Sequence, residues 1–135
     1  MSAKLNLFVT SFSYKKGVPV DDSVHGGGFV FDCRCLPNPG REQSYKLLTG
    51  KDAEVIEYLE AQDEYQTFKN NVSSIVEQAV SKYLARDFQH LSIAFGCTGG
   101  QHRSVRMAEL IAGIYSTNER IKISLVHREY GTYGK

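Results

Sequence analysis

The segment 94–104, AFGCTGGQHRS, gathers most of the residue types in this chain that could do chemistry. Gly99 and Gly100 allow backbone N–H groups to turn toward a ligand, because glycine tolerates positive φ. Arg103 can hold a phosphate through two parallel hydrogen bonds, and a helix beginning near it would add unpaired N–H groups and a positive dipole end. Three further side chains of the loop offer hydrogen-bonding groups: Thr98, His102 and Ser104. Together these residues predict a binding site for an anionic group such as phosphate.

The same loop also has the spacing of an enzyme motif. Five residues separate Cys97 from Arg103, and Ser104 follows, which is the C-x5-R-S pattern of cysteine phosphatases. In those enzymes a thiolate attacks phosphorus while the arginine holds the phosphoryl oxygens. Gly96 stands where the phosphatase signature has histidine, and no loop carrying a general acid is evident, Asp32 being a candidate only at a distance in the sequence. A site that binds without catalytic residues is therefore our first interpretation, and a phosphatase using Cys97 and Arg103 is the alternative.

Hydrophobic patterning predicts the elements that must position this loop. Strands are expected from apolar or alternating runs at 5–10, 29–36, 90–96 and 122–126. Helices are expected from helical spacing at 49–61, 65–86 and 103–118. The first of these helices opens on Thr49 to Asp52, which has the form of a capping box. The resulting order predicts an α/β fold: a mostly parallel sheet of about four strands with covering helices.

Spacing within these elements also predicts which side chains are buried. On the helix at 65–86 the buried face would comprise Tyr65, Phe68, Val72, Ile75, Ala79 and Tyr83. On the helix at 103–118 it would comprise Val105, Ala108, Ile111, Ala112 and Tyr115, with Met107 and Ile114 beside them. On the strand at 29–36, Cys33 and Cys35 share a face with Phe29 and Phe31. Both cysteines are therefore predicted to be core thiols rather than a metal pair.

Polar side chains follow each predicted strand. The carboxyl ends of parallel strands lie at one edge of a sheet, and in open α/β folds ligands bind beyond that edge. If the strands are parallel, basic and amide groups would meet the 97–104 loop at a single rim. The residues that the sequence places on this ligand rim, outside the loop, are Lys15, Arg34, Asn38, His127 and Arg128.

Length, composition and charge limit the other classes of function. The 135 residues, 41% hydrophobic and 23% charged, predict one globular domain over 1–135. No apolar run approaches the roughly 20 residues of a membrane span, and the start lacks signal-peptide features. Three cysteines do not suit a disulfide framework, so we expect a cytoplasmic protein without metal or cofactor. The net charge of +1 does not indicate a nucleic-acid binder by itself.

Several segments together resemble one known family. GCTGGQHRS resembles the G-C-T-G-G-K-H-R-S signature of the RapZ family of RNase adapter proteins. SFSYKKG is similar to that family's S-F-G-[FY]-K-x-G, FVFDCRCLPNP to its V-F-D-x-R-x-[LI]-x-N-P, and LTGKD to its T-G-x-D. His127 and Arg128 match its closing H-R. The resemblance covers nearly the whole chain and corresponds to the family's carboxy-terminal domain, without the Walker loop of its nucleotide-binding half.

The resemblance implies a regulatory domain linked to amino-sugar metabolism, which binds small RNA and a phosphorylated or nucleotide-linked amino sugar. Its partners would include copies of itself or a separate kinase or nucleotide-binding protein. The ligand residues that it implies are Lys15, Arg34, Asn38, Thr98, Gly99, Gly100, His102, Arg103, His127 and Arg128. Two positions depart from the family pattern, because Gln101 replaces the usual lysine and Gly40 a frequent histidine. Both departures weaken an RNA role more than a small-anion role, since RNA affinity accumulates over many phosphate contacts.

Overall fold

A computed structural model describes residues 4–130 of the chain. The main elements are β1 (Leu5–Ser13), β2 (Phe29–Asp32), α1 (Ala53–Glu60), α2 (Asp63–Ala85), β3 (His90–Cys97), α3 (Arg103–Tyr115) and β4 (Ile121–His127). Short 3₁₀ turns lie at Tyr14–Lys16, Pro39–Arg41, Gln43–Tyr45 and Arg128–Tyr130. The predicted order of strands and helices is confirmed.

The four strands form one parallel sheet in the order β2-β3-β1-β4, which confirms the predicted α/β class. β1 lies between β3 and β4, and its register aligns the strand ends. Ser13 of β1 is opposite Cys97 of β3, and Ser11 is opposite His127 of β4. The segments that follow the strands therefore leave the sheet at one edge, and the loop before α3 meets the turns after β1 and β4 there.

The core lies between one face of the sheet and the helices. Its fully buried members include Leu5, Leu7, Val9, Ile93 and Phe95 from the strands, and Val55, Leu59, Tyr65, Val76, Met107 and Ile111 from the helices. Each large aliphatic side chain buried in this way contributes roughly 1.5–3 kcal/mol to stability. α3 contacts β1, β3 and β4, so this packing fixes the start of α3 against the edge where the strands end.

Two of the predicted helix faces need correction. On α2, Ile75 is 45% exposed, and Val76 and Val80 are buried instead. Steps of three and four residues fit both sets, and only the tertiary packing of α2 decides between them. On α3, Ile114 is exposed although Met107 is buried. In the described part of the chain no helix, α2 included, is both long and apolar enough to cross a membrane.

The second strand is shorter than predicted. It ends at Asp32, because the Asp32 carboxylate accepts a hydrogen bond of 2.9 Å from the Arg34 N–H and turns the chain there. Cys33 is buried, and burial raises the pKa of its thiol well above the ordinary value. Cys35 is exposed, so the prediction of two core thiols is wrong for Cys35.

The first helix begins later than the sequence suggested. Its N-cap is Asp52 and its first residue is Ala53, so the predicted start of the helix at Thr49 is wrong. One bond expected of a capping box does form, because the Asp52 carboxylate accepts a hydrogen bond of 2.7 Å from the Thr49 N–H. The four residues from Thr49 to Asp52 therefore form a closed turn before the helix.

Candidate functional site

A pocket of about 210 Å³ lies beside the loop that joins β3 to α3. It is lined by Asn38, Gly40, Cys97, Thr98, Gly99, Gln101, His102 and Arg103, and we call it the loop pocket. No aspartate or glutamate is among these lining residues. The one formally charged side chain in the lining is the arginine, so the local charge favours an anion.

Arg103 is the first residue of α3, and it is only 5% exposed. Its Nη1 group donates to the backbone oxygens of Arg34 and Leu36, both at 3.0 Å. Among residues 4–130 it makes no ion pair, and its Nε and Nη2 groups have no protein acceptor. The charge of Arg103 helps to lower the pKa of the Asp32 carboxyl, but Asp32 forms its ion pair with Arg34 and not with Arg103. The guanidinium is therefore held in place through Nη1, while Nε and Nη2 keep N–H groups that no acceptor of the described residues uses.

Gln101 and His102 fasten the loop to the segment before α1. The Gln101 side-chain amide donates to the backbone oxygens of Lys46 and Leu48, at 2.7 Å each. His102 is buried, and its Nε2 lies 2.9 Å from the backbone carbonyl oxygen of Tyr45. Because a carbonyl oxygen only accepts, Nε2 must carry the hydrogen in this contact. The two side chains therefore form a wall of the loop pocket and fix the position of the loop.

Asn38 and Gly40 form another part of the lining, and Gly40 lies next to the His102 ring. Asn38 caps the short turn after it, since its Oδ1 accepts a hydrogen bond of 2.9 Å from the Gly40 N–H. A Cβ atom at Gly40 would lie 3.1 Å from that Oδ1 and 3.4 Å from the His102 ring. The absence of a side chain at Gly40 therefore keeps this part of the pocket open.

Cys97 lines the loop pocket but is only 2% exposed. Its Sγ donates a hydrogen bond of 3.2 Å to the Oγ of Ser104, which is fully buried. A side chain at Gly96, where phosphatases have histidine, would overlap the rings of Phe12 and Tyr14. The thiol is therefore enclosed, and the histidine of the phosphatase signature does not fit beside it.

The loop has a second side, which faces β1 and the turn after β4. Gly100 has φ of +67°, and a Cβ atom there would lie 2.9 Å from the Ser13 nitrogen and 2.7 Å from the Glu129 side chain. Glu129 Oε2 accepts hydrogen bonds from the Ser13 N–H at 2.8 Å and from Arg128 Nη2 at 2.7 Å. We call Ser13, Lys16, Arg128 and Glu129 the Glu129 cluster. On this side a carboxylate of the chain itself is paired with the basic side chain.

Arg34 and Lys15 lie outside the loop pocket. The Arg34 guanidinium donates to both carboxylate oxygens of Asp32, at 2.9 and 2.7 Å, and stacks on the Tyr14 ring. Its hydrogen bonds hold the pKa of Asp32 below the ordinary value, with burial opposing them. Lys15 is exposed to solvent. Arg34 contributes to the pocket only through its backbone oxygen, which positions Arg103.

His127 also lies outside the pocket, in a buried chain of hydrogen bonds. Its Nδ1 is 2.6 Å from Ser11 Oγ, and its Nε2 is 2.7 Å from a carboxylate oxygen of Glu109. Ser11 is fully buried, so this Ser–His–Glu arrangement has no access to a substrate. The three side chains join β1, β4 and α3 beneath the strand ends.

The structure thus separates the predicted ligand residues into two groups. Those that line the loop pocket are Asn38, Thr98, Gly99, His102 and Arg103. Those that do not are Lys15, Arg34, Gly100, Ser104, His127 and Arg128. Sequence reasoning treated Gln101 only as a replaced lysine and missed its place in the lining. It also missed Glu129, which has no local motif and meets Ser13 across 116 positions of the chain.

Comparison with known proteins shows which family the chain resembles. The profile of the RapZ C-terminal domain matches residues 5–131. A nucleotide-binding protein of Endomicrobium trichonymphae is 40% identical over 125 residues, which cover 93% of this chain and 42% of that protein. A nucleotide-binding protein of Methylococcus capsulatus is 38% identical over 93% of this chain and 40% of its own length. One of Dinoroseobacter shibae is 44% identical over 82% of this chain and 35% of its own. The chain spans about two fifths of the length of the first two relatives.

Proposed function

The chain belongs to the RapZ C-terminal domain family, and from that premise we propose that it is a regulatory domain that binds a phosphate-bearing ligand in the loop pocket. The ligand would be a nucleotide, a nucleotide sugar or a sugar phosphate. The names of the relatives, which are nucleotide-binding proteins, support a nucleotide ligand. The family's link to amino-sugar metabolism and to small RNA makes these the regulatory settings that we propose.

The observation that carries the proposal is the Arg103 guanidinium. It is nearly buried and lines a pocket without acidic side chains. Among the described residues no carboxylate forms an ion pair with it, and Asp32, whose pKa its charge lowers, is paired with Arg34. A phosphoryl group would supply both the missing charge and the missing acceptors for Nε and Nη2. The hydroxyl of Thr98 and the backbone of Gly99 lie in the same lining.

The size of the pocket limits what it would enclose. At about 210 Å³ it is smaller than the ~300–1,000 Å³ typical of pockets that enclose a drug-sized ligand. It would hold a phosphoryl group and the atoms next to it, and the rest of a nucleotide or sugar would lie outside. An RNA backbone phosphate would also fit, and the departures at Gln101 and Gly40 make this the weaker candidate.

Calorimetric titration of the chain tests the proposal, with inorganic phosphate, a nucleoside monophosphate, glucosamine 6-phosphate and a short single-stranded RNA as probes. We expect Arg103→Gln to weaken the best of these ligands by at least ~1.5 kcal/mol, the worth of a charge-assisted hydrogen bond. Arg120→Gln is the matched control. Like Arg103, Arg120 donates to a backbone oxygen. Unlike Arg103, it pairs with a carboxylate, and it lies near the other end of the sheet.

The outcomes of this titration separate the ligand classes. Equal affinity of the parent and Arg103→Gln for every phosphorylated probe would refute the proposal. An RNA ligand would show an affinity that falls steeply with salt, since RNA binding depends on many phosphate contacts. A small phosphate ester held by one arginine would show a shallow dependence.

A cysteine phosphatase stays the second candidate, because Cys97 lines the same pocket and its Sγ is 3.2 Å from Ser104 Oγ. In such an enzyme the Cys97 thiolate would attack phosphorus and displace the alcohol of the ester, and water would then cleave the S–P bond to release phosphate and restore the thiolate. Phosphate release from a chromogenic aryl phosphate, present in the parent and absent in Cys97→Ser, would establish it. The binding proposal predicts no release from either, and unchanged ligand affinity in Cys97→Ser.

A further inference from the structure

The Glu129 cluster has the donors of an anion site, and its occupant is a side chain of the same molecule. Three hydrogen bonds converge on the single atom Glu129 Oε2, from the Ser13 N–H at 2.8 Å, Arg128 Nε at 3.0 Å and Arg128 Nη2 at 2.7 Å. Lys16 Nζ lies 3.8 Å from the other oxygen, Oε1. A backbone N–H, a guanidinium and an ammonium together are the donor set that proteins use for phosphoryl oxygens.

The charges of the cluster are not balanced by Glu129. Two cations, Arg128 and Lys16, face one carboxylate. Lys16 is 72% exposed and at the long end of ion-pair distance, so its attraction to Glu129 is weak. A phosphate dianion in place of the carboxylate would match both cations, and it would offer each donor its own oxygen.

Glu129 can leave without disturbing the core. It lies in the short turn Arg128–Tyr130, which contains no buried residue, although the Glu129 side chain itself is only 8% exposed. Its ion pairs with Lys16 and Arg128 and its hydrogen bonds are all made within the cluster. Rotation of this one side chain into solvent would therefore open the cluster while β4 keeps its pairing with β1.

We propose that the Glu129 cluster is a second anion site, in which Ser13, Lys16 and Arg128 bind the phosphoryl group of a phosphorylated ligand once the Glu129 carboxylate moves out. In the unliganded chain Glu129 closes the site and competes with the ligand. The site lies on the other side of the loop from the loop pocket, so the proposal does not depend on what the loop pocket binds.

The test is a titration of the folded chain with inorganic phosphate, followed by the backbone amide signals of each site in ¹H–¹⁵N spectra. Ser13 reports the Glu129 cluster, and Gly99 reports the loop pocket. In the parent we expect the Ser13 signal to shift only at high phosphate, because Glu129 competes. Glu129→Gln removes the competing charge at nearly constant size, and the phosphate affinity measured at Ser13 should rise about tenfold.

Two further variants make the result specific. Glu119→Gln, at an exposed position outside the cluster, should leave the Ser13 titration unchanged. Adding Arg128→Gln to Glu129→Gln should abolish the gain. The inference is overturned if Glu129→Gln binds no more tightly than the parent at Ser13, or if the gain survives the loss of Arg128. If Glu129→Gln does not fold, the test uses the parent chain and Arg128→Gln. The Ser13 amide signal must then shift with phosphate in the parent and must not shift in Arg128→Gln.

The two proposals fail separately in this experiment. Loss of the Gly99 response with a retained Ser13 response would refute binding in the loop pocket and leave the second site standing. The reverse pattern would refute the second site alone.

Discussion

Each side of the loop between β3 and α3 carries an arginine, and only one of the two arginines is paired with a carboxylate. On one side Arg103 lines an open pocket and forms no ion pair with a carboxylate of residues 4–130, since Asp32 is paired with Arg34. On the other side Arg128 is bonded to Glu129, and Gly100 is packed against both β1 and the Glu129 side chain. Each side presents an arginine together with loop backbone. They differ in whether the chain supplies its own anion.

This difference shows that a basic residue near a glycine loop is not enough to define a binding site. Both arginines look equivalent in the sequence, since each follows a predicted strand and each belongs to the family pattern. Their roles separate only through partners far away in the chain: the backbone oxygens of residues 34 and 36 for Arg103, and Ser13 for the Glu129 cluster. Whether an arginine keeps N–H donors for a ligand therefore depends on its contacts in the folded chain.

The two adjacent glycines give the largest expected contrast. Gly100→Ala places a side chain at φ of +67° and within 3.0 Å of Ser13 N and Phe12 C, so we expect a loss of about 2–4 kcal/mol in the free energy of unfolding. Gly99→Ala meets no atom within 4 Å and should change stability by less than about 0.5 kcal/mol. Urea denaturation measures both. Equal losses of unfolding free energy in the two variants would contradict the claim that the loop is packed at Gly100 and open at Gly99.

The wall of the loop pocket gives the next contrast. Gln101→Ala removes the donor to the Lys46 and Leu48 oxygens, and we expect a loss of about 1–2 kcal/mol in unfolding free energy. Phosphate affinity at the loop pocket should fall as well, because the loop is no longer fixed. Gln101→Lys, which restores the residue usual in the family, can donate to one of these oxygens and should lose less. A Gln101→Ala variant with unchanged stability would show that the wall is not held by this side chain.

The Glu129 cluster should leave a small signature in acid. Burial opposes ionisation of Glu129, but the Ser13 N–H, Arg128 and Lys16 outweigh it and hold the pKa below the ordinary value of 4.5. A carboxylate whose pKa is lower in the folded state stabilises the fold above its unfolded pKa, and the stabilisation is lost as the pH falls through the folded pKa. The stability advantage of the parent over Glu129→Gln should therefore be constant near neutrality and shrink below pH 4.5. Urea midpoints at several pH values measure this advantage. An advantage that grows in acid would contradict a pKa of Glu129 that is lower in the folded state.

Much of the fold could be predicted because its signals are local. The apolar runs of β1, β3 and β4 and the strand–loop–helix–strand ending sufficed for a parallel α/β sheet. The errors arose where a nearby pattern fits two structures. Ile75 and Val76 both continue a helical face, and only the tertiary packing of α2 buries Val76. Cys35 continues an alternation that the Asp32 side chain has already ended.

Less of the candidate site could be predicted, because its lining comes from separate parts of the chain. The loop signature led to Thr98, Gly99, His102 and Arg103, which do line the pocket. The rim argument also placed His127 and Arg128 there, since both follow β4. It could not reveal that Glu109 and Glu129 bind these two side chains, because no local motif marks either carboxylate.

The most direct test of the central claim is a crystal of the parent chain soaked in tungstate, a phosphate analogue that anomalous scattering locates. Our account predicts a tungstate ion in the loop pocket, within hydrogen-bond distance of Arg103 Nε or Nη2. At low concentration no ion should lie beside Ser13 while Glu129 remains in place. An empty loop pocket, with Arg103 unchanged and tungstate bound only elsewhere, would contradict the account.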